Sequence, residues 1–404
     1  MSFGGSRRAA LAALCVTEVV SYGVLFYAFA LLAGDIVADT GWSRTAVTAA
    51  FSAGLLMGAL AGAPVGRLID RRGPRPVMTA GSTLAVTALF GVAAAPTFAW
   101  FVAAWLVAGV AMAGVFYPPA FAALTGWYGP DRVRALTTLT LVAGFASTIF
   151  APLTAQLGGH LSWRGVYVVL AIVLAAITIP AHALALRLPW VSRRPGPTAT
   201  VDTSDRRVLI SRTFLVLVAA MTLNAFALYA VVINLVPLLT GRGLSSSAAA
   251  WALGLGGIGQ VIGRLGYRSL AAHTGVRARS LVVISTGAVT TLLLALLPAH
   301  TAPLLAAAVA AGAARGLFTL LTATIVADHW GSERYATLNG MFTTPLTAAT
   351  AIAPTVGAAL ATGLGSYHAM FVVLAAVSAV SAGLAATTTT PTPSTPTADV
   401  QGRG

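Results

Sequence analysis

Twelve apolar stretches, each about the length a helix needs to cross a bilayer, constrain this chain more than any other feature. A hydrocarbon core about 30 Å thick takes about 20 apolar residues per helix. Cuts at charged and turn-rich clusters place the stretches at 9–33, 45–66, 76–95, 98–124, 134–158, 163–187, 212–238, 246–266, 278–298, 301–327, 335–362 and 367–388. They are rich in Leu, Ala and Val, without the alternating polarity of membrane strands, which run to about ten residues. The first is too long, and too rich in Gly, Tyr and Phe near its end, for a cleaved leader. No small-residue cleavage site precedes the second, so the first is read as a retained helix. The expected fold is an all-α membrane protein of twelve transmembrane helices.

Composition supports this by exclusion. Charged residues make up 8% of the chain and the mean hydropathy is +0.86. Soluble domains carry about 25% charged residues, so a soluble enzyme, a disordered chain and a nucleic-acid module are all excluded. The net charge of +14 comes from 24 Arg and no Lys against 10 acids. With a cytoplasmic N-terminus, 20 of those Arg fall on the inner side, Arg44, Arg164 and Arg242 on the outer side, and Arg315 alone within a span. Inner loops carry such an excess, so both termini are expected in the cytoplasm. The positive charge then faces anionic lipid headgroups rather than nucleic acid. One cysteine, Cys15, excludes an internal disulfide framework. The Ala-rich, Lys-free composition reads as GC-rich bacterial coding, which places the protein in a bacterial inner (cytoplasmic) membrane.

The two halves repeat at an offset of 202 residues. Gly41-Trp42-Ser43 falls on Gly243-Leu244-Ser245, Gly54 on Gly256, Gly73 on Gly275, Arg75 on Arg277, Asp131-Arg132 on Glu333-Arg334 and Pro152 on Pro354. After a two-residue slip, Val168-Val169-Leu170-Ala171 falls on Val372-Val373-Leu374-Ala375. Six spans repeated in one orientation imply two pseudo-symmetric six-helix bundles related by an axis along the membrane normal. The expected organisation is a first bundle at 1–187, a cytoplasmic linker at 188–211, a second bundle at 212–388 and a disordered cytoplasmic tail at 389–404.

Between the second and third stretches stands Gly66-Arg67-Leu68-Ile69-Asp70-Arg71-Arg72-Gly73-Pro74-Arg75. Its glycines permit tight turns, and Asp70 can face a helix N-terminus, where negative charge is favoured by about 0.3–1 kcal/mol. The loop resembles the signature loop of the major facilitator superfamily, Gly-x-Leu-x-Asp-Arg-x-Gly-Arg-Arg. The second copy, ending at Arg277, is eroded: Ala272 stands in the place of Asp70 and His273 in that of Arg71. The resemblance implies a gating loop of Gly66, Asp70, Arg71, Gly73 and Arg75. It also implies that Asp70 meets span 11 near 332–335 when the cytoplasmic side is closed. Gly41-Trp42-Ser43-Arg44, Gly73-Pro74-Arg75, and Trp127-Tyr128 followed by Arg132, Arg134, Ala135 and Leu136 are similar to the monocarboxylate and oxalate:formate branch. Gln260-x-x-x-Arg264 resembles that branch's Asp-x-x-x-Arg element, with Gln in place of the acid. Ala151-Pro152 lacks the Gly-Pro-x-x-Gly-Gly of drug antiporters.

Charges within a bilayer cost at least about 2.5–3.5 kcal/mol, so each is a functional candidate. Glu18 lies ten residues after Arg8, roughly 15 Å along a helix, with Ser21 and Tyr22 on its face. Arg315 stands 15 residues past His300, with Thr319 and Thr322 on its face. The family fold implies that spans 1, 4, 7 and 10 line a central cavity, which both charges would enter. Glu18 could titrate or bind a cation, and Arg315 could hold an anion; alternatively the two pair structurally. Arg264, four residues before Arg268, could serve the cavity or snorkel to the interface. Asn224, Tyr229, Asn234, Asn339, Thr343, Thr347 and Thr350 are secondary candidates, although lone Thr residues often bond their own backbone. Tyr22, Tyr117 and Trp251 could stack a ligand or anchor at the interface. Gly54, Gly58, Gly62 and Gly66, with the glycines of span 8, are expected to ease sliding at the span 2/11 and 5/8 seams. Pro118-Pro119, Pro152 and Pro354 are expected to bend their helices.

No His-Glu-x-x-His, Cys/His metal spacing or phosphate-cradling loop occurs, so no enzyme is expected. No cofactor is expected either, and the energy source is then a proton or solute gradient. The reading is a secondary transporter of a small organic solute, with an organic anion as the leading substrate class, acting as a monomer with its substrate and membrane lipid as partners. Efflux of a hydrophobic drug or secondary metabolite is the alternative within transport. A non-transporting sensor or scaffold is the alternative of another class.

Overall fold

The computed structural model describes residues 3–190, 207–330 and 335–388. Every regular element among the described residues is helical. The spans run Arg7–Thr40, Arg44–Arg72, Pro74–Ala93, Phe98–Tyr128, Arg132–Gly158, Trp163–Ala185, Arg212–Gly241, Ser246–His273, Val276–Leu296, Thr301–Trp330, Tyr335–Gly363 and Tyr367–Ala386, numbered 1 to 12 here. Eleven of them are long and apolar enough to cross a bilayer. Span 8 is the exception: its 28 residues include six Gly, Gln260 and two Arg, which dilute its hydropathy. It is instead buried along much of its length between spans 5 and 10. The expected linker falls largely, and the tail wholly, outside the described residues.

The repeat is visible in how helices begin. The Ser43 hydroxyl accepts from the Ala46 N–H at 3.1 Å to cap span 2, and Ser245 caps span 8 through Ala248 at the same distance. Ser162 and Ser366 cap spans 6 and 12 at 3.3 Å, now at the slipped offset of 204. Such a cap satisfies an N–H that the first helical turn leaves free. Gly41 and Gly243, which precede the first pair, both turn the chain at positive φ, 70° and 89°.

Within each bundle the closest approach joins equivalent helices. A Cβ on Gly109 of span 4 would strike the Gly54 carbonyl of span 2, and a Cβ on Gly312 of span 10 would strike the Gly256 carbonyl of span 8. Gly58 faces the Gly109 carbonyl, and Gly259 and Gly263 face the Val309 and Ala313 carbonyls. The glycine stripe of span 2 therefore does not serve the 2/11 seam as expected: Gly54 and Gly58 weld span 2 to span 4, while Gly62 and Gly66 face open space. Span 8 divides its glycines. Gly254 and Gly257 meet Ser147 and Thr148 of span 5, so the 5/8 seam is as expected, Gly256, Gly259 and Gly263 grip span 10, and Gly266 meets no described residue within 4 Å.

Several spans are interrupted. Span 4 breaks at Phe116, whose backbone is extended, just before Pro118-Pro119. Those prolines lack the N–H groups that would continue the ladder. Span 5 breaks at Gly144-Phe145 rather than at Pro152, which lies inside the following helix, Ala146–Gly158. Span 1 carries a π-helical turn, Gly23–Tyr27, where Gly23 lies against the Phe150 ring with no room for a Cβ.

The bundles meet through spans 2 and 11, 5 and 8, and 1 and 7. Toward the end that carries the loop at 66–75, Gly62, Gly66 and Gly340 have no neighbour within 4 Å among the described residues. At the other end Arg44 of span 2 lies over the Tyr367 ring of span 12, 5.9 Å from its centroid. The central cavity extends from the Tyr22–Tyr229 level toward the Arg-rich end, where Ala59, Gly62 and Pro118 line it.

Candidate functional site

The cavity has two lobes. The first, about 330 Å³, is bounded by Tyr22, Phe26, Leu55, Met112, Phe116 and Tyr229. The second, about 220 Å³, is bounded by Arg315, Thr319, Thr322, Thr343 and Thr347 together with Tyr229. Tyr229, Thr347 and Thr350 line both.

The first lobe is aromatic. Tyr22 stacks on Phe116 with centroids 4.0 Å apart and planes 9° apart, and Tyr117 leans on Tyr22 at 4.9 Å. Phe26 meets Tyr229 edge to face across the two bundles at 6.3 Å. The extended break at Phe116 turns its ring and Tyr117 toward span 1. Trp251, by contrast, is 48% exposed and lines neither lobe.

Glu18 lies one turn before Tyr22 and has no solvent exposure. Neither carboxyl oxygen has a hydrogen-bond partner, and the nearby Ser21 hydroxyl has none either. Arg315 is likewise under-satisfied: its Nε and one terminal nitrogen, Nη2, are buried without partners. The described residues contain two ion pairs, Arg164–Asp39 and Arg279–Asp328, and neither involves Glu18 or Arg315. The structural pairing of Glu18 with Arg315 is therefore absent in this conformation.

Arg264 does not snorkel. It is 7% exposed and donates to the Thr140 carbonyl of span 5 and, at 3.3 Å, to the Gln260 side-chain oxygen. The Gln260 amide donates in turn to the Tyr27 hydroxyl at 3.5 Å. One chain of polar contacts thus links spans 1, 8 and 5 across the interface between the bundles.

Asn224 is placed elsewhere. It is buried against Gly287 of span 9, which puts it inside the second bundle and away from both lobes. Asn234 donates to the Ala230 carbonyl at 2.9 Å and touches Gly357 of span 11. The Thr hydroxyls bond their own helices as expected: Thr319 to Arg315 at 2.9 Å, Thr343 to Asn339 at 2.8 Å and Thr347 to Thr343 at 3.0 Å.

The loop at 66–75 is strapped to its own bundle. Gly73 has φ 82°, a region that side-chain-bearing residues rarely adopt, and Arg75 donates to the Ala183 carbonyl at 2.8 Å. Trp190 bonds the Asp70 carbonyl oxygen at 3.3 Å, covers Gly73 and Gly126, and meets Trp127 edge to face. No hydrogen bond or ion pair joins the Asp70 carboxylate to a described residue. Arg71 is exposed and Gly66 faces open space. The expected partner of Asp70, at 332–335, lies almost wholly outside the described residues.

Sequence reasoning passed over Tyr27, Phe116 and Trp190. Only Phe116 carried a signal, its position next to Tyr117 and the double proline.

The family model of the Major Facilitator Superfamily matches residues 14–303 and 217–404. Monocarboxylate transporter 13 of Bos taurus is 27% identical over 322 residues, covering 78% of this chain and 72% of the relative. Monocarboxylate transporter 11 of Homo sapiens is 28% identical over 273 residues, 65% of this chain and 57% of that protein. Among solved structures, a bacterial homologue of the human lysosomal transporter Spinster, inward-facing and unoccupied, superposes with a TM-score of 0.71 at 16% identity, covering 95% of this chain and 97% of its own. The nucleoside transporter NupG superposes at 0.75 with 14% identity, covering 93% and 98%.

Proposed function

Because the chain belongs to the Major Facilitator Superfamily, a family of secondary transporters and not of enzymes, we propose that it carries a small organic anion by alternating access. The carrying observation is Arg315. It stands in the cavity wall with part of its guanidinium buried and unpartnered, an arrangement whose cost is offset when a carboxylate arrives. The monocarboxylate transporters among the relatives and the lack of any carboxylate lining either lobe among the described residues support the same reading. Glu18, buried beside the aromatic lobe, is the proposed proton-coupling group, and the proposed location is a bacterial cytoplasmic membrane. The Arg264–Gln260–Tyr27 chain would hold the bundles together near the cavity. The apolar lobe also suits an uncharged drug, and Arg315 separates the two readings. In proteoliposomes Arg315→Gln should remove uptake of labelled lactate or phenyllactate. Arg315→Lys should weaken it, because an ammonium cannot copy the planar fork. Unchanged anion uptake in Arg315→Gln, at equal membrane abundance, removes Arg315 from anion binding, and absence of anion uptake by the unaltered protein overturns the anion reading in favour of apolar efflux.

A further inference from the structure

We propose that the anion is an aromatic 2-hydroxycarboxylate, a carboxylate beside a neutral hydroxyl on a chain that ends in a ring; this rests on the anion reading above. The hydroxyl follows from the polar lobe. Thr319, Thr322, Thr343, Thr347 and Thr350 each place their hydroxyl 2.8–3.0 Å from a carbonyl of their own helix. A carbonyl can only accept, so each Thr spends its one hydrogen there. What remains on each oxygen is acceptor capacity. The wall around Arg315 therefore offers one cation and a bank of acceptors. A plain carboxylate has no hydrogen to give and can use the cation alone. A ligand that also donates, close to its carboxylate, uses both. An ammonium would donate too, but no carboxylate among the described residues lines either lobe to balance it, and Arg315 stands beside it. A neutral O–H has no such conflict.

The ring follows from the other lobe. It adjoins the polar one through Tyr229 and Thr347, and its walls are the Tyr22–Phe116 stack, Phe26 and Leu55. At about 330 Å³ it falls in the range that holds drug-sized ligands, about 300–1,000 Å³. A two- or three-carbon acid anchored at Arg315 would leave it unfilled. A ring one or two carbons beyond the carboxylate would reach it and meet aromatic faces, which pair well with rings.

The test is competition against labelled phenyllactate and labelled lactate in proteoliposomes, using phenyllactate, 3-phenylpropionate, lactate and phenylalanine as competitors. Phenyllactate should compete best. Loss of the ring (lactate) and loss of the hydroxyl (3-phenylpropionate) should each weaken competition by about tenfold or more, and phenylalanine should compete more weakly than phenyllactate. Thr319→Val should reduce the advantage of phenyllactate over 3-phenylpropionate; if that variant does not reach the membrane, the wild-type ratios decide. Lactate or 3-phenylpropionate competing as well as phenyllactate overturns this inference and leaves the anion reading standing. Absence of saturable uptake of either labelled acid removes the anion reading, and this inference with it.

Discussion

Gly109→Ala tests the packing that holds the first bundle together. The new methyl would meet the Gly54 carbonyl at a separation no real Cβ adopts, and the obstacle is backbone, which cannot rotate aside. Spans 2 and 4 must then part along a stretch where Gly58 also rests on the Gly109 carbonyl. Overpacking of this kind costs about 1–3 kcal/mol. At about 2–4 °C per kcal/mol for a unit of 150–250 residues, the detergent-solubilised protein should melt roughly 2–12 °C lower. Gly62→Ala lies one turn beyond Gly58 on the same stripe, yet its methyl meets nothing within 4 Å. It should be neutral or stabilising, since Ala is favoured over Gly within helices by about 1 kcal/mol. The assay is fluorescence-detected size exclusion after a temperature series, run on both variants. Equal melting of Gly109→Ala and wild type would refute the close-contact account. Equal loss in both variants would show that the stripe acts as a whole, at a seam the structure does not show.

Three further outcomes are expected. Asp70→Asn should slow turnover about two- to fivefold, the rate equivalent of about 0.3–1 kcal/mol, with substrate affinity nearly unchanged; wild-type rates would remove Asp70 from gating. Glu18→Gln should abolish accumulation driven by an imposed pH gradient while sparing solute exchange, and an undiminished response to the gradient would exclude Glu18 from coupling. The double variant Glu18→Gln/Arg315→Gln should transport no better than either single variant, because the two groups do not pair; recovery would reveal a pair formed in another state of the cycle.

Much of the fold was legible because bilayer thickness sets segment length. The repeat was legible because Gly41, Ser43 and their counterparts are demanded by local backbone geometry that recurs in both halves. What stayed hidden depends on direction around a helix. On a regular helix Tyr27 would face nearly opposite Glu18, nine residues away at about 100° each. The π-helical turn Gly23–Tyr27 admits an extra residue and brings the Tyr27 hydroxyl to Gln260. Asn224 and Tyr229 lie on one span, yet one faces span 9 and the other the cavity, and polarity alone does not distinguish those faces. The glycine stripe of span 2 was recognisable as a place of close approach, but its partner was not, since small residues line spans 4 and 11 alike. Arg264 sits near enough to the interface by spacing to reach water; burial beneath span 5 is a tertiary fact that spacing does not contain.

The carbonyl-to-glycine contacts at Gly54–Gly109 and Gly256–Gly312 use no side chain on either partner. These two contacts therefore do not depend on the side chains that face the cavity. Tyr22, Thr319, Thr347 or Arg315 can be exchanged without disturbing the surfaces that keep spans 2 with 4 and 8 with 10. Such a division lets substrate preference drift over generations while the helix packing stays the same, and it marks the cavity wall as the place to redesign what this transporter accepts.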